Sequence, residues 1–342
     1  MVSQTTNQVC LADLSPRDKA WNAQRLQVMR IEQMYQGTVH DRYAERMGLC
    51  ANLLDFLQVS EDNGFVALKL YAARFCRVRH CPVCSWRRSL MWRAKAARAI
   101  PLIVKNYPKY RFLFLTLTIK NCDLDSLRET LNVMNQAWSK LTRRKEFPAV
   151  GWFKFLEIKR ADDDKVHPHF HCVLLVPPGY FSNNYLSHKR WVELWRSCLE
   201  VDYQPIVNVK TIAPSKKPTE EQEGRIQQVS KAVQYALKYS GKGESAVLSQ
   251  DNKGQDKQPS CEGVPDQQFL IDRDWLLRLT NQTHKTRAIA TGGIMREYLK
   301  VLEEEPDDLI HATDEASARN VDDLVNLGFC WQGDSKQYEL MD

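Results

Sequence analysis

The segment VHPHFHCVLL, residues 166–175, carries histidines at 167, 169 and 171 and then runs into unbroken apolar residues. Residues two apart on a strand point to the same side, so the three imidazoles share one face. Phe170, Cys172 and the apolar run that follows supply core. A strand buried this deeply belongs inside a sheet, and the residues around it are read on that basis.

Upstream, GWFKFLEIK at 151–159 is rich in β-formers, and the polar stretch RADDDK at 160–165 separates it from the histidine strand. The pattern predicts a hairpin. Three further strands are expected at 111–119 (RFLFLTLTI), 206–212 (IVNVKTI) and 286–294 (TRAIATGGI). Helices are expected at 124–143, 184–200 and 219–240. Residues 15–48 read as helical, with Ser15 at an N-cap and Pro16 at the first helical position. Residues 85–106 read as a basic helix interrupted near Pro101. Residues 243–267 are polar and read as a mobile loop. The expected fold is therefore α+β, a five-stranded antiparallel-rich sheet flanked by helices. This sheet domain spans 105–300, after a helical and Cys-rich basic region at 1–104 and before an acidic tail at 301–342, read as helical in places. Gly292-Gly293 reads as a turn or as a close approach of backbone to a bound ligand strand.

Imidazole nitrogens on adjacent same-face positions can hold one divalent ion. His169 and His171 are the candidate pair, with His167 as an additional one. Glu157, on the hairpin partner strand, is within reach as a carboxylate ligand. Asp162, Asp163 and Asp164 lie in the turn and read as solvated. An open carboxylate–histidine site suits Mg²⁺ or Mn²⁺ gripping phosphate oxygens. Spacing alone leaves both a hydrolytic and a phosphoryl-transfer centre open. The competing reading is a set of half-exposed strand histidines that hold nothing.

The segment KAVQYALKYSGKGE, residues 231–244, places Tyr235 and Tyr239 four apart, on one face of a helix. Lys238 follows the first by three residues and Lys242 the second. A tyrosine hydroxyl attacks a phosphodiester once its proton is removed and the phosphate is polarised, and a nearby ammonium assists both. Two core aromatics on an amphipathic helix would show the same spacing.

The formal net charge of +6 hides an asymmetry. Residues 303–342 hold 12 acidic and 2 basic residues, and without them 46 basic face 30 acidic residues. From Phe65 to Arg111 there are 12 basic residues and no acidic one. Such a stretch attracts a polyanion, and nucleic acid is the expected partner. Arg87, Arg88, Arg93, Lys95 and Arg98 on the basic helix are the candidate phosphate contacts. Just before them, Cys76, Cys81 and Cys84 have the spacing of a zinc knuckle, with Cys50 or His80 as fourth ligand. No apolar run spans a bilayer and the N-terminus has no export pattern, so a cytoplasmic protein without membrane contact is expected.

Taken together and in order, these stretches resemble plasmid rolling-circle replication initiators of the small Gram-positive type, in the HUH endonuclease superfamily. FLFLTLTIKN at 112–121 is similar to the first strand motif, HPHFHCVLLV at 167–176 to the histidine–hydrophobic–histidine motif and YALKYSGK at 235–242 to the tyrosine–x–x–lysine motif. RFCRVRHCPVCSWRR at 74–88 resembles the Cys-rich segment that precedes them. The resemblance implies an HUH-like fold and a metal-dependent endonuclease. Its tyrosine joins the 5′ phosphate at a nicked origin and leaves a 3′-OH to prime synthesis, then strands are rejoined at termination. It implies DNA, a host helicase and a polymerase as partners. His169 and His171 match the paired ligands, Glu157 an acidic ligand, and Tyr239 the nucleophile. Where some members carry a glutamate four residues before that tyrosine, this chain has Tyr235, so the two tyrosines would act in alternation.

Two rivals remain open at this point. A two-tyrosine transposase would use the same groups on transposon ends. A zinc-bearing DNA-binding regulator would use the cysteines and the basic helix without catalysis.

Overall fold

The computed structural model describes residues 8–60, 66–161, 164–212, 221–240, 267–301 and 325–341. The chain divides into two compact units, one of residues 1–91 with 305–342 and one of residues 92–304. The division falls inside a helix and again at 304/305, where the sequence reading puts it at 104 and 300.

The first unit opens with α1 (Leu11–Leu14), α2 (Ala20–Tyr35) and α3 (Asp41–Gly48). The strands β1 (Leu53–Ser60) and β2 (Val66–Ala73) follow, then α4 (Pro82–Asn106), which continues into the second unit. Pro101 sits inside α4, so the expected interruption is absent. The proline removes one backbone donor. Ala99, Ile100, Ile103 and Val104 on both sides of it are buried, and this packing keeps the helix running.

In the second unit β3 (Arg111–Thr118), the two-residue β4 (Cys122–Asp123), α5 (Leu127–Thr142), β5 (Gly151–Arg160) and β6 (Lys165–Val176) come first. After them come α6 (His188–Leu199), β7 (Val207–Ile212), α7 (Glu221–Ser240), α8 (Gln267–Thr283), β8 (Ile289–Gly293) and α9 (Ile294–Val301). The strands form an antiparallel sheet in the order β7-β3-β6-β5-β8, with β4 added on β6. The five expected strands are the five of this path. The apolar run Cys172–Val176 lies in the central strand, and every residue of it is buried.

The sheet has two layers of cover. Phe153, Phe155, Val173 and Leu175 pack with Ala99, Ile103, Val229, Val233, Ala236 and Leu237, which come from α4 and α7. Each buried Phe, Val, Leu or Ile side chain here contributes about 1.5–3 kcal/mol. On the opposite face Trp138 of α5 stacks edge-on with Trp152 and Phe170. Gly293 has φ +55, and a Cβ there would lie 2.1 Å from the Val150 carbonyl oxygen. At Gly292 a Cβ would lie 2.4 Å from the Trp152 ring. The close approach at this glycine pair is to the protein's own chain at the start of β5.

The chain returns to the first unit with β9 (Asn326–Gln332) and β10 (Gln337–Leu340), giving a second antiparallel sheet in the order β10-β9-β1-β2. The stretch 50–84, read only for its cysteines, holds β1 and β2, and the described end of the acidic tail is a strand pair. The physical reason is the burial of Phe329, Trp331 and Tyr338, with Trp331 and Tyr338 ring centroids 5.1 Å apart.

Candidate active site

The β5–β6 register pairs Glu157 with His169 and Phe155 with His171, and the β3–β6 register pairs Thr118 with His169 and Thr116 with His171. Directly opposed residues face the same side, so strand geometry alone gathers these polar groups. All three of Glu157, His169 and His171 are buried, and each offers a ligand atom within 4.8 Å of the others. Glu157 Oε2 lies 2.8 Å from His171 Nε2 and also contacts His169 Nε2. Its other oxygen is 3.7 Å from Lys159 Nζ.

Burial alone would raise the Glu157 carboxyl, but the contacts with His169 and His171 outweigh it and bring the group down to about 2. Glu157 is therefore a carboxylate. Burial pushes His171 below its ordinary value, against the opposing pull of the Glu157 carboxylate. Thr116 Oγ1 lies 3.2 Å from His171 Nδ1. With its proton on Nδ1, shared with that hydroxyl, His171 would offer its Nε2 lone pair to a cation bound beside the carboxylate. Imidazole nitrogens and a carboxylate that converge in a buried site can share one cation. Two imidazole nitrogens and one carboxylate oxygen fit a divalent ion.

His167 lies beside this set rather than in it. Its Nδ1 is 2.6 Å from Asn121 Oδ1, and its ring centroid is 5.2 Å from that of His169. Tyr235 on α7 is half exposed, and its ring lies 6.1 Å from His171 and 5.8 Å from Phe114. The backbone of Tyr239 continues α7 one turn further. The side chains of Lys238 and Tyr239, and the whole of Lys242, lie outside the described residues. So does most of the expected loop at 243–267.

Sequence reasoning passed over Phe114, Asn121 and Lys159 as site neighbours. Phe114 and Lys159 alternate in step with Thr116 and Glu157, so strand register was the signal that could have found them.

The first unit carries a second cluster. Cys50, Cys76, Cys81 and Cys84 are all buried with their sulfurs within 4.8 Å of one another. Cys50 Sγ is 3.6 Å from both Cys81 and Cys84, and Cys76 Sγ is 3.6 Å from Cys84. The fourth position is thus Cys50; His80 is buried outside the group, and burial pushes it down to about 3. Ala51 and Arg77, the residues after Cys50 and Cys76, both have positive φ (52° and 56°). This turn aims backbone amides at sulfur: Cys76 N donates to Cys50 Sγ at 3.4 Å and Arg77 N to Cys84 Sγ at 3.3 Å. Donors of this kind stabilise thiolate, and four converging thiolates suit a tetrahedral soft cation.

Of the candidate phosphate contacts, Arg88, Arg93, Lys95 and Arg98 are half-buried. Arg87 is buried, with its guanidinium 5.3 Å from the Trp21 ring and 5.7 Å from the Trp86 ring. Its reading as a phosphate contact is corrected: Arg87 packs on tryptophan. Among the described residues no helix is long and apolar enough to cross a membrane.

The sequence model of the replication-protein family matches residues 67–339. The chain belongs to this family, the plasmid replication initiators that its motifs resemble. A protein rep of Lactiplantibacillus plantarum is 30% identical over 306 residues, covering 87% of each chain. One of Lentilactobacillus hilgardii is 30% identical over 312 residues, covering 90% of this chain and 88% of the relative. One of Bacillus amyloliquefaciens is 36% identical over 188 residues, 53% of each chain. No solved structure matches. The family match takes in Cys76, Cys81 and Cys84 and the whole Glu157–His169–His171 cluster, while Cys50 precedes it.

Proposed function

We propose that this replication initiator nicks one DNA strand at a plasmid origin through a tyrosine and later rejoins strands. The observation that carries the reading is the Tyr235 ring edge-on to His171, next to a buried Glu157–His169–His171 cluster. A phenol placed beside a divalent-cation site is the minimum for attack on a phosphodiester.

Tyr239 Oη attacks the scissile phosphorus. The bond from phosphorus to the 3′ oxygen breaks, and that oxygen takes up a proton as a free 3′-OH. The 5′ phosphate stays on the tyrosine. Lys238 and Lys242 favour the phenolate and offset phosphate charge. Tyr235 takes the second transfer, which rejoins strands without spending a nucleotide triphosphate. Glu157, His169 and His171 would hold a divalent ion, Mg²⁺ or Mn²⁺, which would supply charge stabilisation during attack on the phosphodiester. Thr116 orients His171, and Phe114 walls the site beside it. Cys50, Cys76, Cys81 and Cys84 would hold a zinc ion that stabilises the first unit, and Arg88, Arg93, Lys95 and Arg98 supply phosphate affinity. The free 3′-OH then serves a host polymerase, with a host helicase opening the duplex.

The test is cleavage of a supercoiled plasmid carrying the protein's own origin. Nicking that needs Mg²⁺ or Mn²⁺ and is lost in both His169→Ala and His171→Ala supports the reading. Nicking that survives both substitutions and chelation contradicts it.

A further inference from the structure

Among the described residues β7 is an edge strand of the β7-β3-β6-β5-β8 sheet, and it carries a solvent-facing row on the same face as the Glu157–His169–His171 cluster. Asn208 stands opposite Thr116, which stands opposite His171. Lys210 stands opposite Phe114, whose ring is 5.6 Å from that of His171. At the other end Thr118 Oγ1 donates to the Ile206 carbonyl oxygen at 2.9 Å, which fixes residue 206 beside the site. Alternation then puts Ile206, Asn208 and Lys210 on the ligand face and turns the buried Val207 away. Ile206 is 71% exposed, and Asn208 and Lys210 are exposed as well.

We infer that this row is the track on which the single-stranded DNA flanking the cut phosphate lies. The inference rests on the nicking function proposed above. β7 is two strands from β6, so the row lies about 10 Å from the histidines, roughly a nucleotide away from the reacting phosphorus. From residue 206 to 210 it runs about 13 Å, long enough for more than one nucleotide. Its chemistry fits that occupant in order: Lys210 for a phosphate, Asn208 for a base edge or a phosphate oxygen, Ile206 for the face of a base. The row is continuous with the ligand cluster, and its one charge complements the nucleic acid backbone. Ile206, Asn208 and Lys210 are positioning residues that set which nucleotides present their phosphate to the tyrosine.

The test uses the full chain and its Ile206→Ala, Asn208→Ala and Lys210→Ala variants. Binding of a fluorescent single-stranded oligonucleotide spanning the protein's own origin is followed by anisotropy in EDTA across a salt series. Nicking of the same oligonucleotide is followed with Mn²⁺. Lys210→Ala is expected to lower the slope of log K against log salt by about 0.7, the loss of one phosphate contact on a single strand. Ile206→Ala is expected to weaken binding several-fold with the slope unchanged. In nicking, each variant raises KM by a larger factor than it lowers kcat. Wild-type binding slopes and affinities in all three variants overturn the inference. So does self-association of the wild-type chain, seen by light scattering and lost in Ile206→Ala, with DNA affinity intact; that result assigns the edge to strand pairing between copies. Binding is read without chemistry, so a wild-type protein that binds but never cuts contradicts the nicking function while the salt slopes still decide the row.

Discussion

The ring of Tyr235 meets the ring of His171 edge-on, with centroids 6.1 Å apart and planes at 76°. This contact joins the helix that carries both tyrosines to the strand that carries His169 and His171. It is held by Val229, Val233, Ala236 and Leu237 of α7, packed into the sheet core.

The two tyrosines are expected to separate by substitution. Tyr235→Phe keeps the ring on His171 and loses only the hydroxyl, so first-strand nicking persists while strand rejoining fails. Tyr239→Phe abolishes the first nick. Gel-resolved nicking and rejoining of an origin oligonucleotide separates the two steps. Equal loss of first-strand nicking in both variants refutes the division of labour.

Thr116→Val removes the hydroxyl 3.2 Å from His171 Nδ1 without changing side-chain volume much. Loss of a group that orients a ligand histidine costs roughly 10- to 100-fold in metal affinity or activity. A metal titration of nicking activity should shift its midpoint upward by that factor. An unchanged midpoint removes Thr116 from the site.

The catalytic sheet was legible because its signals are local. The alternation in RFLFLTLTI and the unbroken apolar run after His171 each mark a strand by themselves, and the short polar turn at 160–165 sets the hairpin that brings Glu157 opposite His169. The other sheet was not legible. There Leu53 pairs with Cys330, residues from opposite ends of the chain, and no local pattern announces such a partner. The acidic composition of residues 303–342 masked the buried Phe329, Trp331 and Tyr338. Charge misled at Arg87 for a related reason: a basic residue on a basic helix reads as solvent-facing until the tryptophans that cover it are placed. Of the cysteines, the Cys76–Cys84 spacing was readable, whereas the choice of Cys50 over His80 depends on a turn made elsewhere in the chain.

Lys154 is buried in the sheet opposite Cys172, with its Nζ 2.6 Å from Asn135 Oδ1 and 4.1 Å from the Phe170 ring centre. Burial pushes its ammonium down to about 8 from an ordinary 10.5. Between those values the unfolded chain binds the proton and the folded chain does not, so this lysine makes stability rise with pH across that window. The full effect is up to about 3 kcal/mol. Lys154→Met is expected to be more stable than wild type near pH 7 and to lose this part of the rise, measured by urea unfolding at pH 7, 8.5 and 10. A wild-type-like pH dependence in the variant contradicts it.

The cysteine cluster is expected to hold one metal ion per chain. Cys84→Ser removes the sulfur that contacts both Cys50 and Cys76. Elemental analysis should then show loss of zinc, and the melting temperature should fall. Full zinc content in the variant rules the site out. The histidine site makes an independent prediction here, since its own ligands are untouched by this substitution.

The central claim is covalent attack by a tyrosine of α7. The direct measurement incubates the full chain with a labelled single-stranded oligonucleotide of its own origin and Mn²⁺, followed by denaturing gel and peptide mapping. The account predicts a denaturation-resistant protein–DNA adduct that needs the metal and maps to Tyr239 or Tyr235. Metal-dependent cleavage with no adduct would contradict it and assign the Glu157–His169–His171 cluster to activation of water instead.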